Sequence, residues 1–319
     1  MQLNRNLTDI VKFLACILVA LGHFCGHAIS TGDTNLLYQA ISTQGGFLGV
    51  ALFFFLSGYG LMMSERKAHL TLLSFLKRRY LKIYLPCVLS AILWIPISYL
   101  TIRGGYSVDY HIVTSTLWGW GDGILWFVKT LMMLYATFYI YTLIRNRTDN
   151  EILRLLILTL FAVITTAIQW QVADYSAISV PFFYVGVASV DCPSLTKQMS
   201  RWWVTGITLV LTMAFCGLLV KVRHDMLFAH AAFNYAVVMM WIWVAVSKPF
   251  KLFKPCYSCD SCMGLPKWVG GMSYDIYLTH NKVLMLLIYY LHTFPLWLFL
   301  LCTALVTIAF YNIRKLLKI

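Results

Sequence analysis

Residues 7–26 read Leu7-Thr8-Asp9-Ile10-Val11-Lys12-Phe13-Leu14-Ala15-Cys16-Ile17-Leu18-Val19-Ala20-Leu21-Gly22-His23-Phe24-Cys25-Gly26. About 20 mostly apolar residues, each rising about 1.5 Å in a helix, match the roughly 30 Å of hydrocarbon in a bilayer. Lys12 and His23 interrupt the run, and Cys25-Gly26-His27-Ala28 is a poor cleavage site. The segment therefore reads as an uncleaved first membrane span and not as a signal peptide.

The same pattern recurs at 46–64, 80–100, 124–144, 152–171, 177–190, 203–221, 228–247, 273–291 and 295–313. The run at 177–190 is short and is broken by Pro181 and Gly186. Backbone amides have no water partner in lipid, so these runs must be helical. The expected fold is all-α, a polytopic integral membrane bundle of about ten transmembrane helices. Composition agrees. The chain has 319 residues, of which 60% are hydrophobic and 12% charged, against about a quarter charged in soluble domains. The mean hydropathy is +0.75.

Basic residues set the expected direction. With the N-terminus inside, 19 of the 25 lysines and arginines fall in inner segments, three (Arg103, Lys221 and Arg223) in outer ones, and three (Lys12, Lys129 and Lys282) within spans. Such an excess marks the cytoplasmic side. Both termini are expected there, in a multi-pass protein of a bacterial-type inner (plasma) membrane. The formal net charge of +13 then reflects topology, and no nucleic-acid motif accompanies it.

Ionisable groups inside a membrane are costly and point to function. Asp9, Lys12, Cys16, Ala20, His23 and His27 recur at three- or four-residue spacing and share one helix face. Lys12 and His23 lie eleven residues apart, about three turns and roughly 16 Å along the axis. In isolation Lys12 would snorkel to the headgroups and His23 would hydrogen-bond inside the bundle. Between the second and third spans lies Phe75-Leu76-Lys77-Arg78-Arg79-Tyr80-Leu81-Lys82-Ile83-Tyr84-Leu85-Pro86. A basic cluster there is an ordinary membrane anchor. It is also a possible phosphate site, because Arg78, Arg79 and Lys82 at three- and four-residue spacing can face one polyanion on a helix.

Five segments in order resemble the membrane-bound acyltransferase-3 family, which includes bacterial sugar O-acetylases. They are Arg5-x3-Asp9-x2-Lys12-x10-His23, Gly49-Val50 through Phe53-Phe54-x2-Ser57-Gly58, Phe75-x2-Arg78-Arg79-x2-Lys82-Ile83-x2-Pro86, Leu125-Trp126-Phe127, and Gly270-x2-Ser273-Tyr274-x-Ile276-Tyr277-Leu278-x-His280. The resemblance covers nearly the whole chain. It implies a single transmembrane acyltransferase domain over 4–313 and a short basic cytoplasmic tail at 314–319, with no fused hydrolase-like domain. Two positions depart from the pattern. Lys82 stands where the family usually has arginine, which keeps the charge but loses the bidentate fork. Ala51 replaces a common Asp.

The resemblance implies transfer of an acyl group, usually acetyl, from cytoplasmic acyl-coenzyme A to a hydroxyl of an acceptor in or beyond the membrane. Acetyl-coenzyme A is the expected donor, and no metal is required. A carbohydrate or lipid-linked glycan is the expected acceptor. His23 is the expected catalytic base, since an imidazole with an ordinary pKa near 6.5 can take the proton of an attacking hydroxyl. Direct attack and an acyl-histidine intermediate are both compatible with it. Arg78, Arg79 and Lys82 would hold the donor's phosphates, and Lys12 would organise the donor or the cavity. Trp126 could stack on adenine or a sugar, and His280, at mid-membrane depth, is the second candidate for an active-site imidazole and would contact donor or acceptor.

Cys256, Cys259 and Cys262 have a spacing that suits thiolate metal ligands. Three ligands are one short of a closed zinc site, with Cys192 as the obvious fourth, and reduced cytoplasmic thiols are the simpler reading. Two other functions fit the same membrane residues. A transporter or flippase would use Lys12 and His23 as a proton relay, although the chain lacks a pair of inverted broken helices. A non-catalytic subunit of an envelope-polysaccharide complex would need neither residue.

Overall fold

The computed structural model describes residues 5–69, 71–101, 126–172, 177–194, 197, 210 and 264–319. The expected spans at 203–221 and 228–247, and the Cys256, Cys259 and Cys262 triplet, lie outside the described residues. The described elements are all helical: α1 (Arg5–Ser30), α2 (Leu36–Lys67), α3 (Leu72–Phe75), a π-helical turn (Leu76–Tyr80), α4 (Leu81–Thr101), α5 (Trp126–Arg145), α6 (Glu151–Val172), α7 (Pro181–Asp191), α8 (Gly264–Leu291) and α9 (Leu296–Leu316). Thr8–Ser30, Leu36–Lys67, Trp126–Arg145, Glu151–Gln171 and Leu296–Leu316 are each long and apolar enough to cross a bilayer. The protein is a helical membrane protein.

Two of the boundaries that differ from the hydropathy reading have visible local reasons. α2 begins ten residues earlier than the apolar run, because the Asn35 side chain caps it by accepting the Leu37 amide at 2.9 Å. In the sixth expected span a turn at 178–180 precedes α7, which begins at Pro181, a residue preset for the first turn of a helix.

Lipid gives helices no hydrophobic reason to associate, so close backbone packing carries the assembly. α1 and α2 run antiparallel through Gly22, Gly45 and Gly49. A Cβ at Gly22 would lie 3.0 Å from the Gly46 nitrogen, and one at Gly49 would lie 2.5 Å from the Ala15 carbonyl oxygen. α2 crosses α7 where Gly58 meets the Phe183 carbonyl and Gly186 meets the Phe55 carbonyl. α1 and α8 run parallel, with Gly270 against Asp9 near their starts. α9 returns antiparallel to α8, tied by Thr279–Thr307 at 2.8 Å and Arg314–Asp275 at 2.8 Å.

One end of the bundle thus gathers the start of α1, the ends of α2, α5 and α9, and the π turn. It carries Arg66, Lys67, Arg78, Arg79, Arg145 and Arg314, and is the basic end. At this end the buried Asp191 of α7 accepts from Tyr141 at 2.5 Å and from Arg145 at 2.6 Å, which clamps α5 to α7. The opposite, far end holds His27, whose ring nitrogen lies 2.9 Å from the His292 carbonyl. A main core runs along α2, α5 and α7, around Phe54, Phe55, Leu134, Phe138 and Phe183. A smaller one joins α1, α8 and α9 through Phe24, Leu284 and Phe299. The exposed faces of α6 and α9, with Leu156, Leu160 and Val163 on one and Leu301 and Leu305 on the other, are apolar, as lipid requires.

Candidate active site

Helical spacing on α8 builds the site. Tyr274, Tyr277 and His280 are three residues apart and stack up one face. The Tyr274 and Tyr277 rings lie 6.5 Å apart and nearly parallel, and Tyr277 and His280 are 5.9 Å apart. The row continues to α1, where His23 lies 5.4 Å from His280 between ring centroids. Phe127 of α5 meets Tyr277 at 4.7 Å, and Trp126 lies edge-on to Phe127 at 6.2 Å. The structure therefore joins Trp126, His280 and His23 through one aromatic row.

The two histidines differ in environment. His23 is crowded by neighbouring atoms, yet part of it remains exposed. His280 is fully buried. Its Nδ1 lies 2.9 Å from the Ile276 carbonyl, which can only accept, so Nδ1 carries the proton. In the neutral ring Nε2 is then an acceptor, and among the described residues it has no hydrogen-bond partner.

The basic motif does not present its three cations alike. The segment Leu76–Tyr80 forms a π turn, closed by the Leu81 amide on the Leu76 carbonyl, a distortion common at functional sites. Arg79 turns inward and donates to Ser64 Oγ on α2 at 2.7 Å. It also lies near Tyr135, which is hydrogen-bonded to Ser57. Arg78 and Lys82 are exposed. The turn is fixed from both sides: Tyr80 donates to the Met132 carbonyl at 2.5 Å, and the Tyr274 hydroxyl donates to the Ile83 carbonyl at 2.9 Å. The second bond puts the basic motif at the foot of the aromatic row.

Lys12 lies on α1 below Cys16, and Asp275 approaches Cys16 from α8. Asp275 is fully buried and pairs with Arg314, whose side chain is 15% exposed. Arg314, read from sequence as the start of a basic tail, belongs to the last turn of α9. Sequence alone allows Asp275 to cap its helix or pair with a basic residue but does not point to Arg314, the Tyr277 rung or the Ser57–Tyr135 contact. The Tyr274-x2-Tyr277-x2-His280 spacing was the one available signal, since the other partners lie on distant helices. A further intramembrane cation, Lys282, donates to Ser90 on α4 and lies 6.0 Å from the Trp94 ring. Cys192 is buried at the end of α7. Burial and the nearby Asp191 and Glu151 carboxylates push its thiol up to about 11, which keeps it protonated.

Fold and site together define a membrane-embedded helical protein with two neighbouring imidazoles where α1 meets α8. A family model described as an acyltransferase domain matches residues 8–313. The chain belongs to the acyltransferase-3 family and is an acyltransferase. No curated protein and no solved structure matched the chain.

Proposed function

We propose that the protein transfers an acyl group, acetyl by preference, from acyl-coenzyme A to a hydroxyl of a cell-envelope glycan or related acceptor. The observation that carries this is the His23–His280 pair, 5.4 Å apart with His23 exposed, in a chain of an acyltransferase family. The donor enters at the basic end. Exposed Arg78 and Lys82 meet its phosphates, and Arg79 follows them inward. Guanidinium groups match phosphate oxygens in charge and geometry. Lys12, on the His23 face of α1, adds positive charge along the path. The excess of basic residues supports placing this end in the cytoplasm, with both termini, in a bacterial-type inner membrane.

His23 then takes the proton of the acceptor hydroxyl as its oxygen attacks the thioester carbonyl. The tetrahedral intermediate collapses and breaks the carbon–sulfur bond. The coenzyme A thiolate leaves and recovers the proton from His23, and the acceptor keeps the acyl ester. His280 sits behind His23 and holds it in register, and Trp126 closes the row against α5.

Transfer of labelled acetyl from acetyl-coenzyme A to an extracted envelope glycan tests the reading. His23→Ala in well-folded protein is expected to slow transfer by about 10²- to 10⁴-fold. Undiminished transfer would remove His23 as the base. A transporter using Lys12 and His23 would instead give proton flux and no labelled ester. A C-terminal reporter found outside the cell would overturn the orientation.

A further inference from the structure

At the far end of the bundle, the last turn of α1, the start of α2 and the α8–α9 turn border a half-open cavity of about 320 Å³. Phe24, Tyr38 and Phe294 line it with rings, and His27, Thr31, Asp33 and Thr293 supply polar groups. The ring walls are held in place. Phe24 stacks on Phe299 at 5.5 Å and meets Tyr38 edge-on at 5.9 Å, while Phe294 stacks on His27 at 5.6 Å.

The polar groups favour a ligand that donates hydrogen bonds. Asp33 Oδ1 accepts the Asn35 amide at 2.8 Å, and a carboxylate has a second oxygen that can only accept. His27 Nε2 faces the His292 carbonyl at 2.9 Å, so it carries the proton and Nδ1 accepts in the neutral ring. Among the described residues no lysine or arginine lines the cavity, so a phosphate or carboxylate ligand would meet Asp33 without a counter-charge from them. Hydroxyls suit the acceptors, and the C–H faces of a sugar ring suit aromatic walls. The volume lies at the small end of ligand pockets, about 300–1,000 Å³, which is room for one ring. His27 follows His23 by four residues on the same face, one turn or about 6 Å further along α1.

We propose that this cavity is an acceptor subsite that holds one neutral sugar ring beside the ring being acylated. It rests on the acyl-transfer reading for its purpose, but its first test does not. Saturation-transfer NMR on the whole protein in nanodiscs would use four separate probes: the methyl glycosides of glucose, galactose, mannose and rhamnose. Choline and inorganic phosphate would serve as charged comparisons. At least one glycoside is expected to receive saturation at its ring C–H protons. Phe294→Ala should abolish that signal.

Asp33→Asn keeps the Asn35 cap, is exposed enough to fold normally, and should weaken the bound glycoside about tenfold. No transfer to any glycoside, glycoside signals unchanged in both variants, or choline binding that Asp33→Asn removes would each overturn the proposal. In the enzyme assay Asp33→Asn should raise KM for a glycan acceptor about tenfold and leave KM for acetyl-coenzyme A unchanged. An unchanged acceptor KM would also overturn it. Glycoside binding in a protein that transfers no acetyl would sink the acyl-transfer reading and keep the pocket. Acetyl transfer without glycoside binding would do the reverse.

Discussion

Replacing Gly49 by alanine places a methyl group 2.5 Å from the Ala15 carbonyl oxygen and 2.6 Å from Val19 Cγ2, where ordinary contact starts at 3.4 Å. The oxygen is backbone and cannot rotate away, so α1 must shift from α2 by roughly 1 Å. Overpacking of this kind costs about 1–3 kcal/mol in stability. The rate should suffer more. α1 carries His23, and a misplacement of about 1 Å costs on the order of 100-fold, or about 2.7 kcal/mol of barrier. Gly46 supplies the control: a Cβ there meets nothing within 4 Å, although it lies only three residues away. Gly46→Ala removes the helix penalty of glycine, about 1 kcal/mol, and should leave the rate intact and the protein at least as stable. Initial rates of acetyl transfer and thermal unfolding by tryptophan fluorescence would be read on both variants. A Gly49→Ala protein with lowered Tm and wild-type kcat would show that the α1–α2 distance does not set the reacting geometry. Equal effects of the two alanines would show that the close approach at Ala15 is not what matters.

Arg314→Gln strands the buried Asp275 carboxylate and should cost about 3–5 kcal/mol in stability, much of it recovered by adding Asp275→Asn; additive losses in the double variant would refute the pair as a coupled unit. Changing Arg78 and Arg79 together to alanine should raise KM for acetyl-coenzyme A by tenfold or more, since each charged hydrogen bond contributes about 1.5–3 kcal/mol. An unaltered KM would exclude the π turn as the donor site. Cys192, buried and protonated to about pH 11, should resist maleimide at pH 7–8 until the protein is denatured. Rapid labelling of the native protein, read by mass spectrometry, would contradict its place in the fold.

What the sequence made legible is what the bilayer dictates. Span lengths follow from hydrocarbon thickness, which is why α5, α6 and α9 match their apolar runs closely. Lys12 and His23 share a face because 3.6 residues make a turn, whichever helices surround them. Partner choice obeys no such local rule. Asp275 and Arg314 are 39 residues apart, and each reads alone as an ordinary end-of-helix charge. The parallel contact of α1 with α8 depends on Gly270 admitting Asp9, which is visible only once the helices are assembled. Leu76-Lys77-Arg78-Arg79-Tyr80 reads as regular helix. The single extra residue of its π turn divides Arg79 from Arg78 and Lys82, and comes from ties to Met132 and Ser64 on other helices. Resemblance to the family named the chemistry, and only packing could show that His280 stands beside His23.

The two histidines are not interchangeable, and the difference can be tested. His280 has its Nδ1 proton on the Ile276 carbonyl, and its buried Nε2 lacks a hydrogen bond among the described residues. A buried acceptor in that state costs about 1–3 kcal/mol. The rings of His280 and exposed His23 are 5.4 Å apart. A modest rotation of the His23 ring would give Nε2 a donor. His280 is then a positioning residue that aims His23 and never touches the acceptor. Glutamine puts an amide group near the place of Nε2, and asparagine puts one near Nδ1. His280→Gln should therefore keep kcat within about tenfold, whereas His280→Asn should lose about 100-fold, the low end of what a misaligned general base forfeits. Both variants fill part of the same buried space, so a purely structural role would lower Tm and kcat in parallel and would favour neither. The ionisation of His23 should still shape the pH–rate profile of the glutamine variant. Equal losses in the two variants, or full activity with asparagine, would mean that His23 finds its orientation elsewhere.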